Sequence, residues 1–209
     1  MGDTRKVRDM RLERLNLNIN GVDRFVTCDP ETDTLAEVLR RMGLTGVKIG
    51  CNAGVCGACS IILDGEVVRA CTKKMKRVAE SSSITTIEGI GTPQHLHPLQ
   101  QAWITYGGAQ CGFCSPGFIV SAYGLLQQNQ SPTREDVRQW FKRHHNICRC
   151  TGYKPLVDAV MAAAEVMRGE ALAGRRDVTV AQAVLGADAG ILGAAAMSFD
   201  EFDARGGMH

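Results

Sequence analysis

The sequence predicts an α+β protein, in which a strand-forming part is followed by a helical part. In the first part, short runs alternate apolar and polar residues and are separated by Asn-Gly and Asp-Gly dipeptides, which favour tight hairpin turns. In the second part, apolar residues recur at spacings of three and four, as in helices that pack against one another. Eight of the nine cysteines fall into two groups of four, one group in each part. We expect the functional sites of the protein to lie at these two cysteine groups.

Five strands and one helix are predicted between residues 15 and 90. The first hairpin turns at Asn20-Gly21 and the second at Asp64-Gly65. A helix between the hairpins is expected to end at Gly43, and a closing strand is expected in the segment SITTIEGI. The residues expected to face the core are Leu15, Leu17 and Ile19 in the first strand and Leu35, Val38, Leu39 and Met42 in the helix.

The first cysteine group lies in a glycine-rich loop that precedes the second hairpin. Its spacing is Cys51-x4-Cys56-x2-Cys59, with Cys71 after eleven further residues. This is the plant-type pattern for a [2Fe–2S] cluster, which needs a backbone that wraps closely and directs N–H groups at the sulfurs. Glycines at positions 50, 54 and 57 are expected to supply positive φ and close approach. A zinc site fits this spacing poorly, and a disulfide framework is not expected in a chain without a secretory signal.

Four helices are predicted in the second part, and two of them directly follow a cysteine pair. Ser115-Pro116 places a capping hydroxyl before a proline at the first helical position, and Lys154-Pro155 opens the last helix. The other two helices precede the pairs. One ends at Gly107-Gly108, and one begins at Thr133, which can form a capping box with Asp136. Two such helical hairpins, packed as a four-helix bundle, would bring the cysteine pairs to one end.

The second cysteine group has the spacing CxxC followed by CxC. Its members are Cys111, Cys114, Cys148 and Cys150. At the shared end of the bundle, the N-terminal dipoles of two helices would favour thiolates and an anionic cluster. The spacing is unusual for zinc, and CxC is too strained for an ordinary redox dithiol. A second Fe–S site is therefore predicted.

Composition excludes several other function classes. The formal net charge is +2, which gives no support for nucleic-acid binding. No run of 18 apolar residues is present, so no membrane span is expected, and the N-terminus lacks the apolar segment of a secretory signal. A cytoplasmic protein is therefore expected. The ninth cysteine, Cys28, lies on a predicted strand and is expected to be a buried structural thiol.

Three segments together resemble one known family. The segments GCNAGVCGACSIILDGEVVRAC, GGAQCGFCSPGFI and CRCTGYKPLVDAV are similar to the two-cluster iron–sulfur portion of the molybdenum hydroxylase (xanthine oxidase) family, and among its members to the bacterial aldehyde oxidoreductases. The resemblance implies a ferredoxin-like β-grasp domain at residues 15–90 and a helical [2Fe–2S] domain at residues 91–170. Residues 1–14 are then an N-terminal extension, and residues 171–209 are a C-terminal extension that is flexible or wrapped around a partner.

The resemblance also implies a function. Family members oxidise a carbon centre with oxygen taken from water, at a molybdenum held by a pterin. This chain would be the electron-transfer subunit, not catalytic alone, with the second cysteine group next to the molybdopterin and the first group passing electrons outward. Gln110 and Cys150 would contact the pterin. The implied cofactors are two [2Fe–2S] clusters on this chain, a molybdopterin in its cytosine dinucleotide form on a large partner subunit, and FAD on a further partner in members that have one.

One alternative function remains open from the sequence. The chain stops at His209 with no FAD- or molybdenum-binding sequence after the clusters, from which we expect the separate small subunit of a multi-chain enzyme. The alternative is a free two-cluster ferredoxin or redox sensor that shares the same modules. The helical bundle and the glutamine before Cys111 favour the enzyme subunit, because a free ferredoxin needs neither.

Overall fold

The computed structural model describes residues 11–169, and the first part of this range is a five-stranded sheet. The strands are β1 (Glu13–Ile19), β2 (Val22–Cys28), β3 (Ser60–Leu63), β4 (Glu66–Arg69) and β5 (Ser83–Thr85). Their order is β2-β1-β5-β3-β4, with β1 and β5 parallel and the other neighbours antiparallel. This mixed sheet has the ferredoxin-like fold that was predicted. Most of the predicted N-terminal extension and all of the C-terminal extension lie outside the described residues.

Both predicted hairpin turns are present and have the backbone that their sequences favour. Asn20 and Gly21 have φ of 54° and 80°, and Asp64 and Gly65 have φ of 50° and 85°. Two successive residues with positive φ are what a type I′ turn requires, and this turn matches the twist of the flanking strands. The turn at Asp64-Gly65 sends β4 back along β3, which returns Cys71 to the glycine-rich loop.

One helix, α1 (Leu35–Arg41), covers the core of the sheet. Thr34 caps its N-terminus in a capping box with Glu37. The predicted inward residues Leu35, Val38 and Leu39 are buried, and Met42 packs against the same core from the C-terminus of the helix. Cys28 is fully buried in this core, as expected of a structural thiol.

The closing strand is shorter than predicted. The prediction extended it through SITTIEGI, but β5 ends at Thr85 and a 3-10 turn occupies Ile87–Gly89. The side chain of Asn20 accounts for the difference. Its Oδ1 accepts the Thr86 N–H at 2.8 Å, and its Nδ2 donates to Thr86 Oγ1 at 3.0 Å. Thr86 is therefore bonded to a turn side chain and does not continue the strand ladder.

The second part contains the four predicted helices. They are α2 (Pro98–Thr105), α3 (Ser115–Gln128), α4 (Arg134–Arg143) and α5 (Lys154–Met167). They share one core that includes Trp103, Phe118 and Phe141. The expected capping box between Thr133 and Asp136 is present. No helix among the described residues is both long and apolar enough to cross a membrane.

The predicted cap of α3 was wrong. Ser115 is the first helical residue, Cys114 occupies the N-cap position, and no side chain caps this end. The Ser115 hydroxyl instead accepts a hydrogen bond from Trp103 Nε1 at 3.3 Å. The Ser115 hydroxyl, which the local sequence predicts to cap α3, is thus bonded to Trp103 on α2.

Helix α3 packs directly on the sheet, and two of its glycines make this possible. A Cβ atom at Gly117 would lie 2.4 Å from the Gly57 carbonyl oxygen, and one at Gly124 would lie 2.3 Å from Val67 Cγ2. Neither position has room for a side chain. The close approach brings the N-terminus of α3, and with it Cys114, against the glycine-rich loop of the first part.

Candidate metal centres

The first cysteine group converges in the loop before β3 and the turn after β4. The thiols of Cys51 and Cys56 contact each other, and so do those of Cys59 and Cys71. Cys51 Sγ also accepts the backbone N–H groups of Ala53 at 3.4 Å and Val55 at 3.3 Å. The loop therefore directs N–H groups at sulfur, as predicted for an anionic cluster.

The environment acts in opposite directions on two of these thiols. Burial raises the pKa of Cys59 to about 12. Burial also opposes ionisation of Cys51, but the N–H groups of Ala53 and Val55 and the neighbouring Cys56 outweigh it and lower the pKa of Cys51 to about 7. Backbone hydrogen bonds thus favour the thiolate form of Cys51. The thiolate is the form that binds metal.

The second cysteine group converges at one end of the helical part. The Sγ atoms of Cys111 and Cys150 lie 3.6 Å apart, and the thiol of Cys114 contacts that of Cys148. Cys114 is the N-cap of α3, and Cys148 and Cys150 lie shortly before α5. The structure therefore brings these four thiols together near two helix N-termini, as the predicted packing of two helical hairpins requires.

Hydrogen bonds to Cys148 favour its thiolate. Its Sγ accepts the N–H groups of Cys150 and Thr151, each at 3.4 Å, and the Thr151 hydroxyl at 3.1 Å. Burial opposes ionisation, but these donors lower the pKa of Cys148. Burial raises the pKa of Cys114 to about 12. Each group thus contains one thiol whose pKa is lowered by hydrogen-bond donors and one whose pKa is raised by burial.

The two cysteine groups face one another across a short gap. A cavity of about 360 Å³ is lined by two cysteines of the first group, Cys51 and Cys56, and by all four of the second. Beside it, the Ile147 N–H donates to the Cys56 carbonyl oxygen at 3.1 Å. One backbone hydrogen bond therefore joins the residue before Cys148 to a cysteine of the first group.

The sulfurs of each group approach one another in pairs. A [2Fe–2S] core takes two cysteine thiolates on each iron, so two adjacent pairs are the donor set that it needs.

The surface around the second group is partly apolar. Gln110, Cys111 and Cys150 are exposed. Phe113 and Ile147, at 47% and 53% exposure, lie beside them. Large exposed apolar side chains next to a polar rim are the usual mark of an interaction site. Phe113 and Ile147 therefore give this end of the bundle an exposed apolar surface.

Sequence reasoning missed three residues that support the second group. Thr151 donates to Cys148 Sγ, the Tyr153 hydroxyl accepts the Cys148 N–H at 3.1 Å, and Asn146 is buried between the two parts. Tyr153 also has a φ of 68°, which is uncommon for a bulky residue. The available signal was their position within NICRCTGY, beside the CxC pair.

Comparisons with known proteins agree with this geometry. Residues 17–83 match the 2Fe-2S iron-sulfur cluster binding domain, and residues 86–161 match the [2Fe-2S] binding domain. The chain is 64% identical over 155 residues to the aldehyde oxidoreductase of Megalodesulfovibrio gigas, a match that covers 74% of this chain but only 17% of that protein.

Two smaller relatives are matched over nearly their full length. The nicotine 6-hydroxylase small subunit of Paenarthrobacter nicotinovorans is 43% identical over 150 residues, which cover 71% of this chain and 88% of that subunit. A solved chain of quinoline 2-oxidoreductase from Pseudomonas putida 86 superposes with a TM-score of 0.70 at 40% identity, and the match covers 77% of this chain and 99% of that one. The chain therefore belongs to the iron–sulfur subunits of the molybdenum hydroxylase (xanthine oxidase) family.

Proposed function

We propose that this chain is the electron-transfer subunit of a molybdopterin-dependent oxidoreductase and that it holds two [2Fe–2S] clusters. The observation that carries the proposal is the pairing of eight thiols in two groups, on loops that are joined by the hydrogen bond from the Ile147 N–H to the Cys56 carbonyl oxygen. The ligands of the first cluster are Cys51, Cys56, Cys59 and Cys71. The ligands of the second are Cys111, Cys114, Cys148 and Cys150.

The chain's own residues hold and tune these clusters. We place Cys51 and Cys56 on one iron of the first cluster, and Cys59 and Cys71 on the other, because the thiols of each pair interact with one another. The clusters supply one-electron transfer when they are bound. N–H groups at Cys51, together with the N–H groups and the Thr151 hydroxyl at Cys148, stabilise negative charge on sulfur, which is a recognised means of setting reduction potential.

A partner carrying molybdopterin would cover the exposed end of the second group. Gln110 and Cys150 are exposed there, and Phe113 and Ile147 provide apolar area for contact. We place the pterin, as its cytosine dinucleotide, against Gln110 and Cys150. The first group then lies on the outward path, toward FAD on a further subunit or toward an external acceptor. A cytoplasmic location belongs to the same proposal.

The chain, expressed alone and reconstituted with iron and sulfide, is expected to bind about four irons and about four acid-labile sulfides. When reduced, it should show two distinct electron paramagnetic resonance (EPR) signals, because the two sets of donors differ in burial and hydrogen bonding. Metal and sulfide analysis with EPR tests this. Stoichiometric zinc, with no visible absorbance after reconstitution, would contradict the cluster assignment.

Gln110→Ala is expected to weaken retention of the molybdopterin in the complex while leaving both clusters in place. The change removes one exposed amide, and one such hydrogen bond contributes on the order of 1 kcal/mol. Pterin and iron contents of the purified complex give the two readouts. Gln101→Ala is the matched control, because Gln101 is an exposed glutamine within α2. Equal pterin contents in the two variants would contradict the proposed contact between Gln110 and the pterin.

The free-ferredoxin alternative makes a different prediction for assembly. An electron-transfer subunit should copurify with a large molybdopterin protein. A monodisperse monomer that holds both clusters, and that has no affinity for any molybdopterin protein produced by the same cells, would favour the free ferredoxin and reject the proposal.

A further inference from the structure

Asn146 lies buried between the two cysteine loops, with an exposure of 4%. It stands two residues before Cys148, and its Nδ2 lies 3.2 Å from the Gly57 carbonyl oxygen, 3.4 Å from Ser60 Oγ and 3.5 Å from the Gly117 carbonyl oxygen. Gly57 lies between two cysteines of the first group, and Gly117 lies in the first turn of α3, just after Cys114. One amide group thus bonds both to the segment between Cys56 and Cys59 and to the helix that begins after Cys114.

The orientation of this amide is set by its neighbours. Two of the three atoms near Nδ2 are carbonyl oxygens, which only accept, so the NH₂ group must face them. The Oδ1 atom on the other side is buried and has no hydrogen-bond partner in the described structure. The hydrogen bonds of this side chain to Gly57, Ser60 and Gly117 are therefore all made by its NH₂ group.

Gly57 and the segment at Asn146 pack closely against each other. A Cβ atom at Gly57 would lie 2.7 Å from Asn146 Nδ2 and 2.8 Å from the His145 carbonyl oxygen. The hydrogen bond from the Ile147 N–H to the Cys56 carbonyl oxygen lies one residue further along. The two loops therefore meet backbone to backbone, with the Asn146 donor as the side-chain link.

We infer that Asn146 is a positioning residue that fixes the separation of the two cysteine loops and thereby governs electron exchange between the clusters they hold. The inference rests on the proposed function. Electron transfer between two centres slows steeply as their separation grows, so a rigid contact between the loops has a consequence beyond stability. Among the hydrogen bonds of the described residues, none joins the Asn146 side chain to a cysteine sulfur, so its role is exerted through the segments that carry the cysteines.

Asn146→Leu tests the contribution of the Asn146 NH₂ group separately from that of its Oδ1 atom. Leucine has nearly the same branched shape, and because Oδ1 has no partner, a methyl group in its place loses no hydrogen bond. A methyl group in place of Nδ2 leaves the Gly57 and Gly117 carbonyl oxygens without this donor. In the reconstituted full chain, we expect unchanged iron content, altered magnetic coupling between the reduced clusters, and inter-cluster electron exchange slowed several-fold. Hydrogen exchange at the Ile147 amide should accelerate about tenfold or more.

Asn129→Leu is the matched control. Asn129 is exposed at the C-terminus of α3, and its side chain accepts only the nearby Ser131 N–H among the contacts described. It should leave the coupling and the exchange rate unchanged. Unchanged coupling and rate in Asn146→Leu as well, with both clusters present, would overturn the inference while leaving the proposed function intact.

A second measurement covers the case in which Asn146→Leu does not retain its clusters. In the unaltered holo chain, the Ile147 amide should exchange as slowly as amides in the core of α3, although its side chain is exposed. Exchange as fast as in exposed loops would overturn the inference. If the unaltered chain binds no clusters, it is the proposed function that fails.

Discussion

Replacing Cys148 by serine is expected to remove the second cluster and to block electron exit from molybdenum, while the first cluster stays reducible by dithionite. Cys148 Sγ accepts three hydrogen bonds that favour its thiolate. A serine hydroxyl ionises far less readily than a thiol, so it is a poor replacement for a thiolate ligand. Cys111→Ser should have the same effect, because Cys111 pairs with Cys150 in the same group.

The expected loss is selective because the two groups lie on different elements. The first group belongs to the loop and hairpin of the sheet, and the second to the N-termini of α3 and α5. Iron content should fall from about four to about two, and one of the two EPR signals should disappear. Turnover of the complex should fall to background.

Cys28→Ser is the matched control for this experiment. Cys28 is a cysteine on β2 that is fully buried outside both groups. Its replacement places a hydroxyl in an apolar core and should lower the free energy of unfolding by about 1–3 kcal/mol, but it should leave both clusters in place. If Cys148→Ser instead abolished only the signal of the first cluster, the assignment of cysteines to clusters would be wrong.

Local structure in this chain was predictable because short-range sequence controls it. Asn20-Gly21 and Asp64-Gly65 specify their turns through positive φ, which few other dipeptides adopt cheaply. The three clustered cysteines of the first group can hardly avoid meeting, because four and two residues separate them. The same holds for the capping box at Thr133 and for the apolar spacing of the helices.

Contacts between distant segments were not predictable in the same way. The bond between Asn146 and Gly57 spans 89 residues, and neither residue carries a periodicity or a spacing that points to the other. The error at Ser115 has the same origin, because its hydroxyl could cap a helix but is used by Trp103. The shortened closing strand depends likewise on Asn20, which is 66 residues away from Thr86. In each case a side chain that has more than one possible partner forms its hydrogen bond with a residue that is distant in the sequence.

Gly57→Ala should be far more damaging than the same change at another glycine with positive φ. Gly57 has a φ of 64°, a conformation that costs a residue with a side chain about 1–3 kcal/mol. Its added methyl group would also lie 2.8 Å from the His145 carbonyl oxygen and 2.9 Å from Asn146 Cα. Both are backbone atoms, so the clash cannot be relieved by a rotamer change, and overpacking of this kind costs about a further 1–3 kcal/mol.

Gly65→Ala isolates the strain from the clash. Gly65 has a φ of 85°, and an added Cβ would meet nothing within 4 Å, so this variant should show only the conformational cost. Thermal unfolding and iron content of the two variants, measured side by side, test the contact between the loops. Gly57→Ala is expected to unfold at a clearly lower temperature and to lose iron from the first cluster, because the methyl group must push the segment between Cys56 and Cys59 away from Asn146. Equal unfolding temperatures and full iron content in both variants would mean that the two cysteine loops do not pack as described. The positioning role inferred for Asn146 would then be rejected as well, because it depends on that packing.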